Sequence, residues 1–184
     1  MQRSFLSHSP EATEALGVLL GRELPPGTVM TLDGDLGTGK TTLVRGLGNG
    51  LGIEGPITSP TYTLMQAYEN GRLPLYHFDA WMEGREKALL ADGADEFLGA
   101  GGLAVIEWGS RVAEWLPEPR LEVHLGHRTP ESRTIEIRLV GPSSAPELAQ
   151  ILASIGPERA IEGLEGVAQK DSDPREPSQG APVS

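Results

Sequence analysis

The chain has 184 residues, 38% of them hydrophobic, a formal net charge of −11 and no cysteine. That length suits one domain with a genuine core plus a short tail. The absent cysteines exclude disulfides, thiolate chemistry and cysteine zinc sites, and the acidity argues against long non-specific contact with nucleic acid, which needs a basic footprint.

No apolar run approaches the roughly 20 residues of a membrane helix. The first residues lack the apolar stretch of a secretory signal. The expected compartment is therefore the cytoplasm, with no membrane contact.

In chain order, residues 3–8 predict a short strand. Ser9-Pro10-Glu11 reads as a helix start, a capping hydroxyl with Pro just inside it. Ala12, Leu16, Leu19 and Leu20 supply an apolar face to about Glu23, and Pro25-Pro26-Gly27 ends the helix. Residues 28–32 form a short β-type run, and a second helix is expected over 40–48, weakened near its end by Gly46, Gly48 and Gly50. Residues 61–68 and 73–78 read as two strands joined around Asn70-Gly71, a hairpin signal. One or two short helices are expected over 83–98. Residues 103–106 form a brief apolar strand ending in Glu107, 121–125 and 134–140 alternate as strands around a turn at 129–131, and 146–155 is a terminal helix. Residues 156–184 are rich in Gly, Pro, Ser and charge, and they read as a disordered acidic tail behind a domain spanning 1–155.

The chemistry is concentrated between the β-type run and the second helix. Gly34-Asp35-Leu36-Gly37-Thr38-Gly39-Lys40-Thr41 satisfies G-x-x-x-x-G-K-[ST] at every fixed position, between a strand and a helix as the motif requires. Glycines let the backbone curl so that its N–H groups meet phosphate oxygens, and the new helix adds unpaired N–H groups and the positive end of its dipole. Lys40 would bridge the β- and γ-phosphates, the Thr41 hydroxyl would ligate Mg²⁺, and Thr42 would lie on the α-phosphate side. Such a loop also needs a carboxylate near the metal, at the end of an apolar strand. Asp79 and Glu107 both qualify. The hydroxyl-rich Thr58-Ser59-Pro60-Thr61-Tyr62-Thr63 lies where a γ-phosphate-sensing segment would lie. His77 shares a face with Asp79 and reads as a packed or hydrogen-bonded structural histidine. Trp108 follows Glu107 and can pack or lie near a nucleotide. Arg45, Arg85 and Arg111 are candidate charge stabilisers.

GDLGTGKTTLVRGL, SPTYTL, YHFD and IEW, in this order and at these gaps, resemble the TsaE family, the ATPase subunits of bacterial tRNA threonylcarbamoyladenosine synthesis. The resemblance runs from about Glu11 to Glu122. It implies one P-loop α/β domain: a mostly parallel central sheet flanked by helices, with some antiparallel strands. It implies ATP, with ADP as product, and Mg²⁺ as cofactors. Gly37, Thr38, Gly39, Lys40, Thr41 and Thr42 match the nucleotide loop. Glu107 matches the carboxylate that contacts Mg²⁺, alongside Thr41, and Asp79 matches the Walker B acid. Lys40, Asp79 and Glu107 are the implied catalytic set. Thr61 and Trp108 match positions tied to nucleotide handling, and Ser9-Pro10-Glu11 matches a region near the adenine. The implied partners are subunits of the TsaD and TsaB type, with tRNA reached only through them. Where the family usually continues His-Phe-Asp with Leu/Val-Tyr-Arg, this chain has Ala80-Trp81-Met82. The residues identify no arginine finger, so hydrolysis is expected to be weak without a partner. The alternative on the same fold is a small-molecule or nucleoside kinase, which would need an acceptor pocket and a basic lid over the phosphates, and the only room for one, residues 83–102, is mostly acidic. A GTP switch lacks its Asn-Lys-x-Asp and Asp-x-x-Gly motifs, and a binding module without hydrolysis would differ only in phosphate release.

Overall fold

The computed structural model describes residues 1–82, 84, 97–98, 101–141 and 145–155. The expected helices over 83–98 and the tail over 156–184 lie outside these, except for Gly84, Phe97 and Leu98.

The elements run β1 (Gln2–Ser7), α1 (Pro10–Glu23), β2 (Val29–Asp33), α2 (Lys40–Leu51), β3 (Met65–Tyr68), β4 (Leu75–Asp79), β5 (Leu103–Glu107), β6 (Arg120–His127), β7 (Arg133–Val140) and α3 (Pro146–Ser154), with two 3-10 turns at Gly109–Arg111 and Ala113–Trp115. They build a 7-stranded sheet ordered β1-β7-β6-β2-β5-β4-β3. β6, β2, β5 and β4 are parallel neighbours, while β3, β7 and β1 join antiparallel at the edges. The expected α/β architecture holds. Parallel strands are covered on both faces and read as apolar runs, and β2 and β5 do so.

One face of the sheet packs on α1, α2 and α3. There Leu16, Leu20, Leu43, Val44 and Leu47 meet Met30, Leu75, Val105 and Val123. Each such side chain taken fully out of water contributes about 1.5–3 kcal/mol. The other face of β4, β2 and β5 packs Val29, Phe78 and Ile106 against Val112 and Leu116, the residues that follow the two 3-10 turns.

α1 starts where the sequence marks it. Ser9 Oγ accepts from the Ala12 N–H at 3.2 Å, with Pro10 in the first turn. Its far end is held by Arg72, which donates to the carbonyls of Gly21 and Leu24 at 2.8 and 2.6 Å.

The larger differences from expectation concern α2, β3 and the connection to β4. α2 continues to Leu51 through all three of its glycines, two of which let it pack against the backbone of α1. A Cβ on Gly46 would lie 2.1 Å from the Glu14 carbonyl oxygen, and one on Gly17 would lie 2.3 Å from that of Leu43. Gly21 and Gly50 repeat the relation one turn on. The helices meet backbone to backbone, and the packing offsets what the glycines cost in propensity. β3 starts at Met65 rather than at residue 61, because Pro60 O accepts from the Leu64 N–H at 2.7 Å and Leu64 takes φ 64°. The chain therefore turns through 61–64 before it pairs. The connection to β4 is six residues long (69–74), not a tight Asn-Gly turn: Arg72 N donates to Leu51 O at 2.7 Å, and Asn70 Nδ2 to Glu54 O at 3.2 Å. That loop closes the expected β3–β4 hairpin, with Tyr68 opposite Leu75, and also wraps the end of α2.

Candidate nucleotide site

β2, β4 and β5 deliver Asp33, Asp79 and Glu107 to the same sheet edge, with Asp79 opposite Glu107 in register. In open parallel sheets this carboxyl edge is where ligands bind. The loop from Gly34 to Gly39 leaves β2 here and turns into α2. Gly34 has φ 137°, and a Cβ there would stand 2.1 Å from the Leu125 carbonyl oxygen. Gly39 caps α2 at φ 103°, in the left-handed region. A side chain is blocked by backbone at Gly34 and strained by the left-handed conformation at Gly39, and the first-turn N–H groups of α2 are left without helical partners, as an anion site requires.

A cavity of about 350 Å³ opens over this turn, lined by Gly37, Gly39, Lys40, Thr41, Thr42, Ser59, Thr61, Asp79, Trp81, Glu107 and Trp108 together with Leu36. Nearly all of the expected site therefore converges on one wall. Lys40 is 5% exposed. Its Nζ donates to Gly34 O at 2.7 Å and Asp35 O at 3.0 Å and lies 4.0 Å from the centre of the Trp108 ring. Burial pulls the Lys40 ammonium below the usual lysine range, and the carboxylates of Glu107, Asp79, Asp33 and Asp35 oppose that pull. Four acids around one buried cation would repel a triphosphate unless a further cation entered with it.

The two carboxylates divide their work. Thr41 Oγ1 donates to Glu107 Oε1 at 2.9 Å. Asp79 instead accepts from Thr61 Oγ1 at 2.6 Å and Ser59 Oγ at 3.2 Å through Oδ2, and from the Trp81 N–H at 2.8 Å through Oδ1. Glu107 thus stands beside the loop hydroxyl, and Asp79 ties the hydroxyl-rich segment to the end of β4. Mg²⁺ prefers oxygen ligands and binds through one or two protein oxygens plus phosphates and waters. The Thr41 hydroxyl and the Glu107 carboxylate fit that donor set. Among the described residues no group of three or more His, Cys, Asp or Glu forms an all-protein metal cage.

Thr38 Oγ1 donates to Asp35 O at 2.8 Å and braces the turn, while Thr42 Oγ1 accepts from Arg45 at 3.1 Å. A smaller cavity of about 100 Å³ continues past Thr42 to Ser9, Pro10, Thr13, Glu131 and Arg133. Glu11 is exposed and lines neither cavity. A hydrogen bond with the Ser9 side chain holds its carboxyl below the usual range. Arg111 donates to Trp81 O at 2.6 Å and lies 5.4 and 5.7 Å from the Trp81 and Trp108 rings, which pack tilted by 49° with centres 4.6 Å apart. Arg85 lies outside the described residues.

Three contacts go beyond the sequence reading. His77 Nε2 lies 3.0 Å from Glu107 Oε1. Ser59 reaches Asp79, and Asp33 accepts from the Ser110 N–H at 3.1 Å, tying β2 to the first 3-10 turn. The alternation of His77 with Asp79 along β4 was a signal for the first. Nothing local in the sequence announces the other two.

This loop at the carboxyl edge of a parallel sheet defines a P-loop α/β protein. The family model described as "Threonylcarbamoyl adenosine biosynthesis protein TsaE" matches residues 7–135, and the chain belongs to that family. A Bacillus subtilis relative, tRNA threonylcarbamoyladenosine biosynthesis protein TsaE, is 40% identical over 141 residues, covering 76% of this chain and 87% of the relative. A Nostoc protein of the same description is 42% identical over 140 residues, covering 74% and 85%. The crystal structure of Bacillus subtilis YdiB superposes with a TM-score of 0.70 at 32% identity, over 82% of this chain and 94% of that one. The chain is thus a member of a family named for tRNA threonylcarbamoyladenosine biosynthesis, and no helix among the described residues is long and apolar enough to cross a membrane.

Proposed function

We propose that the protein is a Mg²⁺-dependent ATPase that binds ATP in the 34–42 turn and hydrolyses it to ADP in support of a partner complex. That complex, of TsaD-type and TsaB-type subunits, installs threonylcarbamoyl on the adenosine beside the tRNA anticodon. The observation that carries the reading is the 2.9 Å bond from Thr41 to Glu107 beside the buried Lys40. It places a hydroxyl, a carboxylate and an ammonium at one cavity wall, over a helix N-terminus.

Each group has a task that follows from its chemistry. Lys40 would exchange the Gly34 and Asp35 carbonyls for phosphate oxygens, a charge-assisted and stronger pairing. Thr41 and Glu107 would hold the metal, which when bound neutralises charge on the phosphates. Asp79 would hold Ser59 and Thr61 over the mouth, where their hydroxyls meet the γ-phosphate side. Trp108 would cover Lys40 and exclude water. No arginine among the described residues lines the larger cavity. Turnover by the isolated chain is therefore slow, and the partner complex is expected to accelerate it by on the order of 10³–10⁵ if it supplies the missing cation. RNA contact by an acidic chain falls to the partners, and the cytoplasm is the compartment in which they would meet.

The test is phosphate release from Mg·ATP with and without a purified TsaB–TsaD-type complex. Slow release alone and faster release with the complex support the reading. Release only when a small-molecule acceptor is added would favour the kinase alternative.

A further inference from the structure

His77 sits in β4 between Tyr76 and Phe78, in a strand whose five residues are all buried. Its ring is wholly enclosed. A polar ring in such a strand costs stability unless its nitrogens are paired. Among the described residues only one is: Nε2 meets Glu107 Oε1 at 3.0 Å, while Nδ1 has no partner. A carboxylate oxygen only accepts, so Nε2 is the donor of this bond. Packing alone would be served better by the aliphatic residues found beside it on the same sheet face, Leu75, Leu103 and Val105.

The bond's placement shows what the exception does. Thr41 Oγ1 donates to the same oxygen, Oε1, from the opposite element, α2. Two donors from two elements converge on one oxygen, and among the described residues no hydrogen bond engages Oε2. Glu is longer than Asp by one rotatable bond, so without a second anchor its carboxylate would swing. We propose that His77 is a positioning residue that fixes the Glu107 carboxylate so that Oε2 is presented to the metal of the bound nucleotide. The inference rests on the proposed Mg·ATP reading. It adds to it that the metal's affinity depends on a ring that touches neither metal nor nucleotide. Partners of this kind typically change metal affinity by about 10–100-fold.

The test measures the affinity of a fluorescent ATP analogue with and without Mg²⁺, by titration, in the full chain and three variants. If the wild-type protein shows no gain in affinity with Mg²⁺, the metal-site reading fails and this inference goes with it. Given that gain, His77→Leu should lose about tenfold or more of it while its metal-free affinity stays within about twofold. His77→Gln, whose amide nitrogen can stand where Nε2 stands, should recover most of the loss. His77→Asn, whose amide cannot reach, should not. A His77→Leu protein that keeps the full Mg²⁺ gain overturns the proposal and leaves the nucleotide site intact. Should His77→Leu fail to fold, the pair His77→Gln and His77→Asn decides: a gain retained only in the Gln variant supports positioning, and equal behaviour of the two overturns it.

Discussion

Replacing Gly46 by Ala sets two effects of opposite sign against each other. In an exposed helix the change would stabilise by about 1 kcal/mol through helix propensity. Here the new Cβ would stand 2.1 Å from the Glu14 carbonyl oxygen and 2.9 Å from Gly17 Cα. Non-bonded carbon contacts settle at roughly 3.5–4 Å, so α1 and α2 must part by over about 1 Å. Neither obstacle is a side chain that can rotate aside. Overpacking of this kind costs about 1–3 kcal/mol and occasionally more, and contact with rigid backbone belongs at the upper end. Offsetting the propensity gain leaves a net loss of about 2 kcal/mol, or about 4–8 °C in Tm for a domain of this size. Thermal unfolding followed by circular dichroism measures it. Because α2 begins with Lys40 and Thr41, the variant should also bind nucleotide less tightly. A Tm equal to or above that of the unmodified chain would refute the close-packed pairing of the two helices.

Glu107→Gln keeps the shape of the side chain but removes its charge. It should retain metal-free nucleotide binding and lose Mg²⁺-dependent phosphate release by on the order of 10²-fold or more, as read in a steady-state phosphate assay. Asp79→Ala releases Ser59 and Thr61 from their shared acceptor, so proteolysis in the 59–63 segment should quicken while bound-nucleotide affinity falls less than in a Lys40 variant. Glu122 offers a pH test away from the site. Burial pushes its carboxyl up, but hydrogen bonds from Arg138 and Arg120 outweigh this and hold it below the usual range. A carboxyl lowered on folding adds stability above its unfolded pKa and loses it as the pH falls through the folded value. Glu122→Gln should therefore melt lower than the unmodified chain near neutral pH, and the gap should close in acid below the ordinary glutamate range.

The 34–41 loop was legible because its geometry is local. Glycines, lysine and threonine fall within one turn, so their spacing carries the geometry. The apolar runs of β2 and β5 were legible because parallel strands are buried on both faces. The division of labour between Asp79 and Glu107 was not, because it depends on which hydroxyl each carboxylate meets across strands separated in sequence. Leu64 hid the start of β3, since a left-handed leucine leaves no mark in the local pattern. Gly46, Gly48 and Gly50 read as weakness by propensity. Only the matching i, i+4 pairs Gly17/Gly21 and Gly46/Gly50 carry the information that α1 and α2 touch, and it emerges when both helices are considered together. His77 was read as structural because alternation places a ring on a face without saying what it bonds.

Isothermal titration of Mg·ATP into the unmodified chain and into Lys40→Ala tests the central claim most directly. Removing the ammonium deletes two charge-assisted bonds worth about 1.5–3 kcal/mol each, partly offset by the Gly34 and Asp35 carbonyl bonds that no longer need breaking. The account predicts saturable binding of one nucleotide that weakens by on the order of 10²-fold or more in the variant. No heat of binding to the unmodified chain, or equal affinity in the two, would contradict it.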